Sequence, residues 1–448
     1  MDEGRLYYYQ NRQKGITLSL KRNFLWMLGS KAVSMAALFI TGCMINRSLG
    51  LLGRGILAEM QTWVSLFIVI FAISIDAATY HFANKVAYDY DDKVKFVSIF
   101  LLNIIYALLA TFALTFFVFC WPQRVSSKTI EFLFLLDIFL IISMLATNLA
   151  VFFQAMGNVR FSAQIGIIRA VVSTAIISVG YFLGFINIRF VIVSMIIVQV
   201  VALFIILRAS LKSGLIFGHF SKDIAIGVIL KGLKQHIATI STFVYTKINQ
   251  LIVFRCAGEA QAGIFAVALT LAIYLMVVPE TFQIALYPRV IHSNDDYEVT
   301  VRSLRLGFYV WGSIVILIML LAKPILLIYG GSKFLPSVNV FRILLIAVWF
   351  LPVASLITPY YIKKGAFGIA SFSAALLGVI SIGLNILLVP KYASIGAALA
   401  TAITCLAAFC MTILFLYYLS KKNPLVIFRP DFQKEVAFIR QMYLRHAK

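Results

Sequence analysis

Long apolar runs separated by short polar stretches fill the chain. An α-helix needs roughly 20 apolar residues to cross a bilayer, and most runs have about this length or slightly more. Because lipid offers no hydrogen-bond partner to a bare backbone, each run is predicted to be helical. The twelve predicted transmembrane helices lie at 23–46, 56–80, 95–120, 130–153, 161–184, 190–211, 229–254, 261–283, 306–329, 338–362, 367–390 and 394–419, and the longest predicted loop is 284–305.

The composition is that of a membrane protein. Hydrophobic residues make up 62% of the 448 residues and charged residues 12%, whereas soluble domains carry about 25% charged residues. A soluble globular protein, a disordered tail and a disulfide scaffold are therefore excluded. Twelve helices leave no room for a soluble catalytic domain, so the predicted fold class is an all-α polytopic membrane protein.

Lysine and arginine are distributed unevenly between the two sets of predicted loops. The formal net charge is +22, and with a cytoplasmic N-terminus the inside segments carry 24 Lys and Arg against 8 outside. Since cytoplasmic loops collect these residues, both termini are predicted to be cytoplasmic. The tail, 421–448, contains an amphipathic stretch from Phe432 to Tyr443. This stretch is predicted either to lie on anionic lipid or to be solvated.

The sequence matches itself at an offset of 208 residues. Arg47-Ser48-Leu49-Gly50 with Gly55-Ile56 corresponds to Arg255-Cys256-Ala257-Gly258 with Gly263-Ile264, and Gly157 corresponds to Gly365. Six helices per repeat give both halves the same orientation, related by a pseudo-twofold axis along the membrane normal. We therefore predict an N-terminal lobe, 1–212, and a C-terminal lobe, 213–420, around a central cavity. A duplicated scaffold without an open path is the alternative.

Several basic residues fall inside apolar runs, where a charge at the helix centre costs about 2.5–3.5 kcal/mol. Lys31 and Arg169 lie about nine residues from the cytoplasmic ends of their helices, and Lys247 lies nearer an outer end. Lys234 and His236 lie near the cytoplasmic end of the helix that carries Lys247. These residues predict a cavity that binds an anion, since Lys and Arg bind phosphate through charge-assisted hydrogen bonds. Structural ion pairs are the alternative.

A polar stripe runs along the predicted helix 229–254. Ser241, Tyr245 and Asn249 fall with Lys234 in a narrow arc at about 100° per residue, whereas His236 and Lys247 point to the opposite face. The stripe is predicted to line the cavity or to pack against other helices. An unbroken helix cannot direct both faces at one cavity, so either the helix is kinked or one set is structural.

Acidic residues are rarer within the apolar runs. Asp76 and Glu280 lie near cytoplasmic ends and are candidates for coupling transport to H⁺ or Na⁺; no other cofactor and no metal is expected. The sequence contains no HExxH pair and no Walker phosphate-binding loop, so it predicts neither a zinc protease nor ATP hydrolysis. No catalytic residues are predicted, and we expect a transporter rather than an enzyme.

Several motifs resemble those of the multidrug/oligosaccharidyl-lipid/polysaccharide (MOP) exporter superfamily. They are Asn23-Phe24-Leu25, Arg47-Ser48-Leu49-Gly50, Gln154-Ala155-Met156-Gly157-Asn158, the segment 262–268 with Pro279 and Pro288, and Pro390 with the segment 395–401. Their order and spacing are most similar to those of the O-antigen and polysaccharide flippases. The resemblance implies two six-helix lobes around a cationic cavity that opens to one face at a time.

The resemblance also implies a function in a bacterial inner membrane. The expected substrate is undecaprenyl-diphosphate-linked oligosaccharide, moved from the cytoplasmic to the periplasmic leaflet by alternating access, with the diphosphate at Lys31, Arg169 and Lys247. Membrane lipids, a polysaccharide polymerase and a chain-length regulator are expected partners, and nucleic acid is not. Many relatives carry an acid two positions after the basic residue that matches Lys247, where this chain has Asn249.

Two other functions are weighed against the flippase. A drug or cation antiporter of the same superfamily would need acidic residues in its cavity, and the deep basic residues argue against it. A membrane glycosyltransferase or polymerase usually carries a large soluble loop, and the longest loop predicted here, 284–305, is short.

Overall fold

The computed structural model describes residues 3–82, 91–293 and 295–429. These residues form α-helices joined by short turns, and none of them lies in a β-strand, so the all-α fold class is confirmed. The helices are α1 (Glu3–Phe71), α2 (Ile75–Phe82), α3 (Asp92–Cys120), α4 (Ser127–Glu131), α5 (Leu133–Ala155), α6 (Val159–Phe182), α7 (Ile188–Lys212), α8 (Lys222–His292), α9 (Asp296–Leu306), α10 (Gly312–Leu320), α11 (Ala322–Gly330), α12 (Ser337–Ser355), α13 (Thr358–Lys363) and α14 (Phe367–Ser420). The amphipathic stretch predicted from Phe432 lies outside the described residues.

Nine helices in the described part of the chain are long and apolar enough to cross a membrane. Three of them, Gly29–Phe71, Lys222–Glu280 and Ser371–Ser420, have 43, 59 and 50 residues, at least about twice the length of one crossing. Each contains a residue with non-helical backbone angles, namely Gly50, Gly258 and Ala393. Divided there, the three helices give two spans each, so the prediction of twelve transmembrane helices is confirmed.

Side-chain hydrogen bonds show that the chain turns back at two of these three residues. Asn249 bonds to both Asn385 and Thr401, which lie at equal distances along the chain before and after Ala393. Gln250 Nε2 donates to the Ala262 carbonyl at 2.9 Å, although twelve residues of straight helix would separate them by about 18 Å. The long helices α8 and α14 are therefore each a pair of neighbouring spans.

The backbone carries the internal repeat of 208 residues. Gly50 and Gly258 have φ of 64° and 84°, and Gly157 and Gly365 have φ of 86° and 68°. Glycine adopts positive φ without the steric cost that other residues incur. Both pairs that match in sequence thus occupy equivalent turns, which confirms that the chain contains two copies of one six-helix unit.

The chain divides into two compact units whose boundaries differ from those of the sequence repeat. The first unit contains Met1–Leu49 and Trp63–His236, and the second contains Gly50–Thr62 and Ile237–Lys448. The first turns of helix after Gly50 therefore pack with the second half of the chain. The beginning of α8, up to His236, packs with the first half.

Within the second unit, the two copies of the repeat motif cross at glycines. A Cβ atom on Gly55 would collide with the Glu259 carbonyl, and a Cβ atom on Gly263 would collide with the Leu51 carbonyl. Residues 51 and 259, like residues 55 and 263, are 208 apart. The contact is therefore the same when the two helices are exchanged, as a twofold relation requires.

The core of the first unit joins α2, α3, α5 and α7 to the beginning of α8. Its fully buried members include Phe96 and Phe152, whose rings meet edge to face with centroids 5.2 Å apart. Asn148 Nδ2 donates to Asn103 Oδ1 at 2.5 Å. This buried pair satisfies two amides inside an apolar cluster, where an unpaired amide would be costly.

The core of the second unit is built on α12 packed against α14. Pro352 has no backbone N–H, so the carbonyl of Val348 loses its partner inside α12. Trp311 Nε1 donates to that carbonyl at 2.8 Å, and Trp349 Nε1 donates to the Phe308 carbonyl at 3.0 Å. Pro352 thus leaves the Val348 carbonyl free to accept, and the hydrogen bond from Trp311 holds the helical segment that contains Trp311 against α12.

The predicted loop 284–305 is wrong. Helix α8 continues to His292, and α9 begins at Asp296, where Asp295 Oδ1 accepts a hydrogen bond from the Glu298 N–H at 3.0 Å. A π-helical turn, Gly307–Trp311, then joins α9 to α10. The segment 296–306 is amphipathic rather than apolar, and a search for apolar runs therefore misses it.

Candidate functional site

Two helices of the first unit, α1 and α6, pack side by side through small polar side chains. Ser30 Oγ donates to the Ala163 carbonyl at 2.8 Å, and the hydroxyls of Thr41 and Thr174 lie 3.0 Å apart. Both contacts join residues that are 133 apart in the chain, so the helices run parallel in a fixed register. Small side chains permit this close approach of transmembrane helices.

This register places Lys31 and Arg169 on neighbouring helices. Residue 31 is level with residue 164, so Arg169 lies about 7.5 Å farther along the axis at 1.5 Å per residue. Both side chains are half-buried. The first unit therefore holds two of the predicted anion-binding residues on one packed pair of helices, between one and two helical turns apart along the axis.

Two nitrogens of the Arg169 guanidinium group lack partners among the described residues. Its Nε and one terminal nitrogen are buried and have no hydrogen-bond partner among the described residues. None of the ion pairs between described residues includes Arg169. Because buried polar groups nearly always have a partner, these unpartnered nitrogens indicate a place for water or for an anionic ligand.

The beginning of α8 packs against the bend that follows α1. A Cβ atom on Gly232 would collide with the Ile73 carbonyl, so only glycine permits this approach. One turn farther, His236 is half-buried, and its Nδ1 has no hydrogen-bond partner within the described part of the chain. Lys234 is exposed. Both residues thus belong to the same unit as Lys31 and Arg169.

From Ile237 onward, α8 belongs to the second unit, and this part of the helix carries Ser241, Tyr245 and Asn249 of the predicted polar stripe. Asn249 is fully buried, and its Nδ2 donates to Thr401 Oγ1 at 2.6 Å while its Oδ1 accepts from Asn385 Nδ2 at 2.9 Å. Ser241 contacts the position of Gly378 on α14. Asn249 therefore joins helices to one another. Of the two roles predicted for the polar stripe, this residue has the packing role.

Lys247 lies on the other side of α8 from Asn249. The two residues are two positions apart, which is about 200° around the helix, and Lys247 is exposed whereas Asn249 is buried. None of the ion pairs between described residues includes Lys247. The stripe and Lys247 therefore have different surroundings, as the helical wheel predicts.

A cavity of about 180 Å³ lies inside the second unit, where α8, α12, α13 and α14 meet. Tyr245 of the predicted stripe lines it, and the other polar lining residues are Ser355, Thr358, Tyr361, Ser373 and Thr412. None of the described residues that line this cavity is charged. The sequence indicated only Tyr245, because the remaining hydroxyl groups come from helices that are distant along the chain.

The acidic candidates are at the surface of the described structure. Asp76 on α2 and Glu280 on α8 are both exposed, and their role in ion coupling stays a prediction. Asp137 on α5 accepts a hydrogen bond from Thr115 Oγ1 at 2.8 Å. Among the described residues, no group of three or more His, Cys, Asp or Glu side chains could hold a metal ion.

Solved structures with this arrangement of helices are transporters. An inward-facing multidrug resistance MATE family transporter aligns with 89% of this chain and 99% of its own, with a TM-score of 0.68 and 13% identity. A transporter from Pyrococcus furiosus, described as having a binding pocket of reverse polarity, aligns with 90% of this chain and 97% of its own, at a TM-score of 0.64 and 14% identity. A Vibrio cholerae MATE transporter aligns with 92% and 98%, at a TM-score of 0.63 and 14% identity. The fold is that of MOP superfamily transporters.

The MOP fold is established by structure alone. No protein-family model matches the chain, and no curated protein matches it in sequence. At 13% or 14% identity to the solved structures, the likeness concerns the fold and leaves the substrate to other arguments. The resemblance inferred from the motifs is confirmed at the level of the superfamily fold.

Among the described residues, three buried basic residues were not among the predicted candidates. Arg54 is 9% exposed, and its Nη2 donates to Thr270 Oγ1 at 3.1 Å. Lys95 of α3 is 1% exposed, and its Nζ lies 3.5 Å from Asp92 Oδ1. Arg305 of α9 is 7% exposed and donates to the Val426 carbonyl at 2.9 Å. The spacing of Asp92 and Lys95 is the sequence signal for an ion pair within one helical turn. No comparable local signal marks Arg305, because its acceptor is a backbone carbonyl far along the chain.

Proposed function

We propose that this chain is a membrane transporter that moves an anionic, lipid-linked oligosaccharide across the bilayer. The observation that carries the proposal is that two buried guanidinium nitrogens of Arg169 have no hydrogen-bond partner among the described residues. A buried charge without a counter-charge is costly, so it needs water or a bound anion during the transport cycle. A diphosphate presents oxygens that match the paired N–H donors of a guanidinium group.

The proposal assigns roles to the other basic candidates. Lys31, on the helix packed against α6, and Lys247 would contact the diphosphate as well. Lys234 and His236 would assist at the cytoplasmic side. The oligosaccharide would be linked to undecaprenyl diphosphate and would move from the cytoplasmic to the periplasmic leaflet of a bacterial inner membrane, where a polysaccharide polymerase and a chain-length regulator act next. The exposed carboxylates of Asp76 and Glu280 are the candidates for H⁺ or Na⁺ coupling.

Drug or cation antiport is the second candidate, and the comparisons support it better than oligosaccharide flipping. Two of the three solved structures reported above are multidrug or MATE transporters. The third is described as having a pocket of reverse polarity that suggests a different function, which is compatible with an anionic substrate. An antiporter would bind cations at acidic residues, whereas Arg169 has two buried guanidinium nitrogens without a partner among the described residues, more than any other arginine there.

Transport in proteoliposomes separates the two candidates. The purified chain is reconstituted, and a fluorescent polyprenyl-diphosphate disaccharide and the cationic dye ethidium are offered in parallel. We expect flipping of the lipid-linked sugar, a loss of at least about tenfold in Arg169→Ala, the cost of one charge-assisted hydrogen bond, and partial activity in Arg169→Lys. Arg189→Ala, which removes an exposed arginine, is the matched control and should transport normally.

The opposite pattern would support the antiporter. Uptake of ethidium driven by a proton or sodium gradient, with no flipping of the diphosphate sugar, would overturn the proposal. Equal flipping by Arg169→Ala and the wild type would show that Arg169 does not bind the substrate, and the proposal would lose its main support. Circular dichroism and thermal unfolding of each variant show whether a loss comes from misfolding.

A further inference from the structure

The cavity inside the second unit has a chemical character different from that of the basic candidates. It is lined by six hydroxyl-bearing side chains, from Tyr245, Ser355, Thr358, Tyr361, Ser373 and Thr412, and by the apolar residues Leu351, Leu377 and Met411 among others. None of its described lining residues is charged. A volume of about 180 Å³ holds roughly six waters at ~30 Å³ each, or a single sugar ring.

Most of the serine and threonine protons in this cavity are already used. Thr412 Oγ1 donates to the Ala408 carbonyl at 3.0 Å, Ser373 Oγ donates to the Ile369 carbonyl at 2.7 Å, and Ser355 Oγ donates to the Pro352 carbonyl at 2.7 Å. A hydroxyl that donates its proton still has oxygen lone pairs to accept with. The polar part of the cavity wall therefore presents mainly acceptors, to which the two tyrosine hydroxyls add donors, and the rest of the wall is apolar.

This lining selects an uncharged ligand with many hydroxyl groups. An ion would lose part of its hydration in this cavity without gaining a counter-charge from the described lining residues, which is unfavourable. An apolar ligand would leave the remaining lone pairs of the lining hydroxyl groups unused. A sugar ring supplies donors for these acceptors, and its C–H faces pack against the rings of Tyr245 and Tyr361.

We infer that this cavity binds one neutral sugar residue of the transported molecule. The inference rests on the proposed function and extends it, because it assigns the sugar and the diphosphate to different sets of residues. Arg169 holds the charged group in the first unit, and the hydroxyl-lined cavity holds an uncharged ring in the second. Sugar specificity would then depend on α12, α13 and α14 rather than on the basic residues.

Saturation-transfer NMR on the purified chain in nanodiscs tests the inference with free sugars as probes. Glucose, galactose and N-acetylglucosamine are offered separately to the wild type. At least one is expected to receive saturation from the protein. Thr412→Val and Tyr361→Phe, which each remove one hydroxyl at nearly constant shape, should weaken binding about tenfold, as the loss of a hydrogen-bonding partner predicts.

The chain offers a matched control for the threonine. Thr404 lies on the same helix, is 1% exposed, and donates to the Ala400 carbonyl at 2.7 Å, but it does not line the cavity. Thr404→Val should therefore bind sugar like the wild type, and Thr412→Ser should restore what Thr412→Val loses. Thermal unfolding of all variants identifies any that fail to fold.

The outcomes distinguish this inference from the proposed function. Sugar binding that is absent, or equal in Thr412→Val, Tyr361→Phe and Thr404→Val, would overturn the inference even if Arg169 proves essential for flipping. Sugar binding that disappears in Arg169→Ala would also contradict it, since that residue belongs to the other unit. Loss of flipping in Arg169→Ala with normal sugar binding is the expected result and supports both.

Discussion

The side chain of Asn249 shows how one residue fixes the packing of three helical spans. It stands where the resemblance to MOP exporters leads one to expect an acid. Its Nδ2 donates to Thr401 at 2.6 Å and its Oδ1 accepts from Asn385 at 2.9 Å. An amide can donate and accept at once, whereas a carboxylate only accepts. The packing of the three spans therefore explains why an amide is present at this position, independently of ion coupling.

Asn249→Asp is expected to destabilise the second unit. The carboxylate would be fully buried, would lose the donor to Thr401 and would have no counter-charge, which costs about 3 kcal/mol or more. Denaturant titration in detergent, followed by tryptophan fluorescence, measures the change. Asn187→Asp is the control, because exposed Asn187 caps α7 by accepting from the Phe190 N–H at 2.9 Å, and aspartate caps equally well. Unchanged stability of Asn249→Asp would refute the bridging role.

The role of a single residue could be predicted from the sequence only where that role depends on residues nearby in the chain. Lys31 and Arg169 are conspicuous because each lies within an apolar run, and the structure places both on one packed pair of helices. The register of that pair depends on Ser30, Thr41 and Thr174, which look ordinary in the sequence. Contacts between helices that are far apart along the chain leave no local pattern, so the neighbours of a charge could not be predicted.

At the scale of helices, the crossing at Gly55 and Gly263 is the closest approach that the repeat motif creates. Each glycine lies against a backbone carbonyl of the other helix, Glu259 or Leu51. A backbone carbonyl cannot rotate away as a side-chain end can. The two glycines are 208 residues apart along the chain, and so are the two carbonyls that they approach. Glycine is therefore needed in both copies of the motif for the same steric reason.

Gly55→Ala should lower the stability of the fold by about 2–3 kcal/mol, the usual cost of overpacking a tight contact. Gly383→Ala is the matched control: Gly383 lies in α14, and nothing lies within 4 Å of a Cβ atom placed there. That substitution should be neutral or slightly stabilising, because alanine favours helix over glycine by about 1 kcal/mol. Thermal unfolding in detergent ranks the two variants. Equal melting temperatures would mean that the two helices do not approach each other closely at Gly55.

Helices were predictable to the extent that they are apolar. The twelve spans follow from apolar runs, and the positive φ at Gly50 and Gly258 agrees with a glycine-containing motif between two spans. Helix α9 was missed because it is amphipathic, with Thr300, Ser303 and Arg305 among its buried residues. A turn at Ala393, with φ of 50°, could not be foreseen, since alanine rarely adopts such a conformation.

For the whole molecule, the uneven distribution of lysine and arginine predicts the orientation in the membrane. The 24 basic residues assigned to inside segments, against 8 outside, predict that both termini of the chain are cytoplasmic. The turns Pro122–Arg124 and Ser332–Phe334 then lie outside. Lys212, at the end of α7, and Lys422, just after the end of α14, are then cytoplasmic. Proposed binding of a cytoplasmic, diphosphate-linked substrate requires this orientation.

Cysteine labelling of the full chain in intact cells measures the orientation. The exposed native cysteines, Cys120, Cys256 and Cys410, are first replaced by serine. In this background, Gln123→Cys and Lys333→Cys should react with a membrane-impermeant maleimide in intact spheroplasts, because both positions are exposed on the outside turns. Lys212→Cys and Lys422→Cys, also exposed, should react only after the membrane is permeabilised. The reverse pattern would place the basic surface in the periplasm, where a substrate made in the cytoplasm could not reach it before transport, and the proposed direction of flipping would then be wrong.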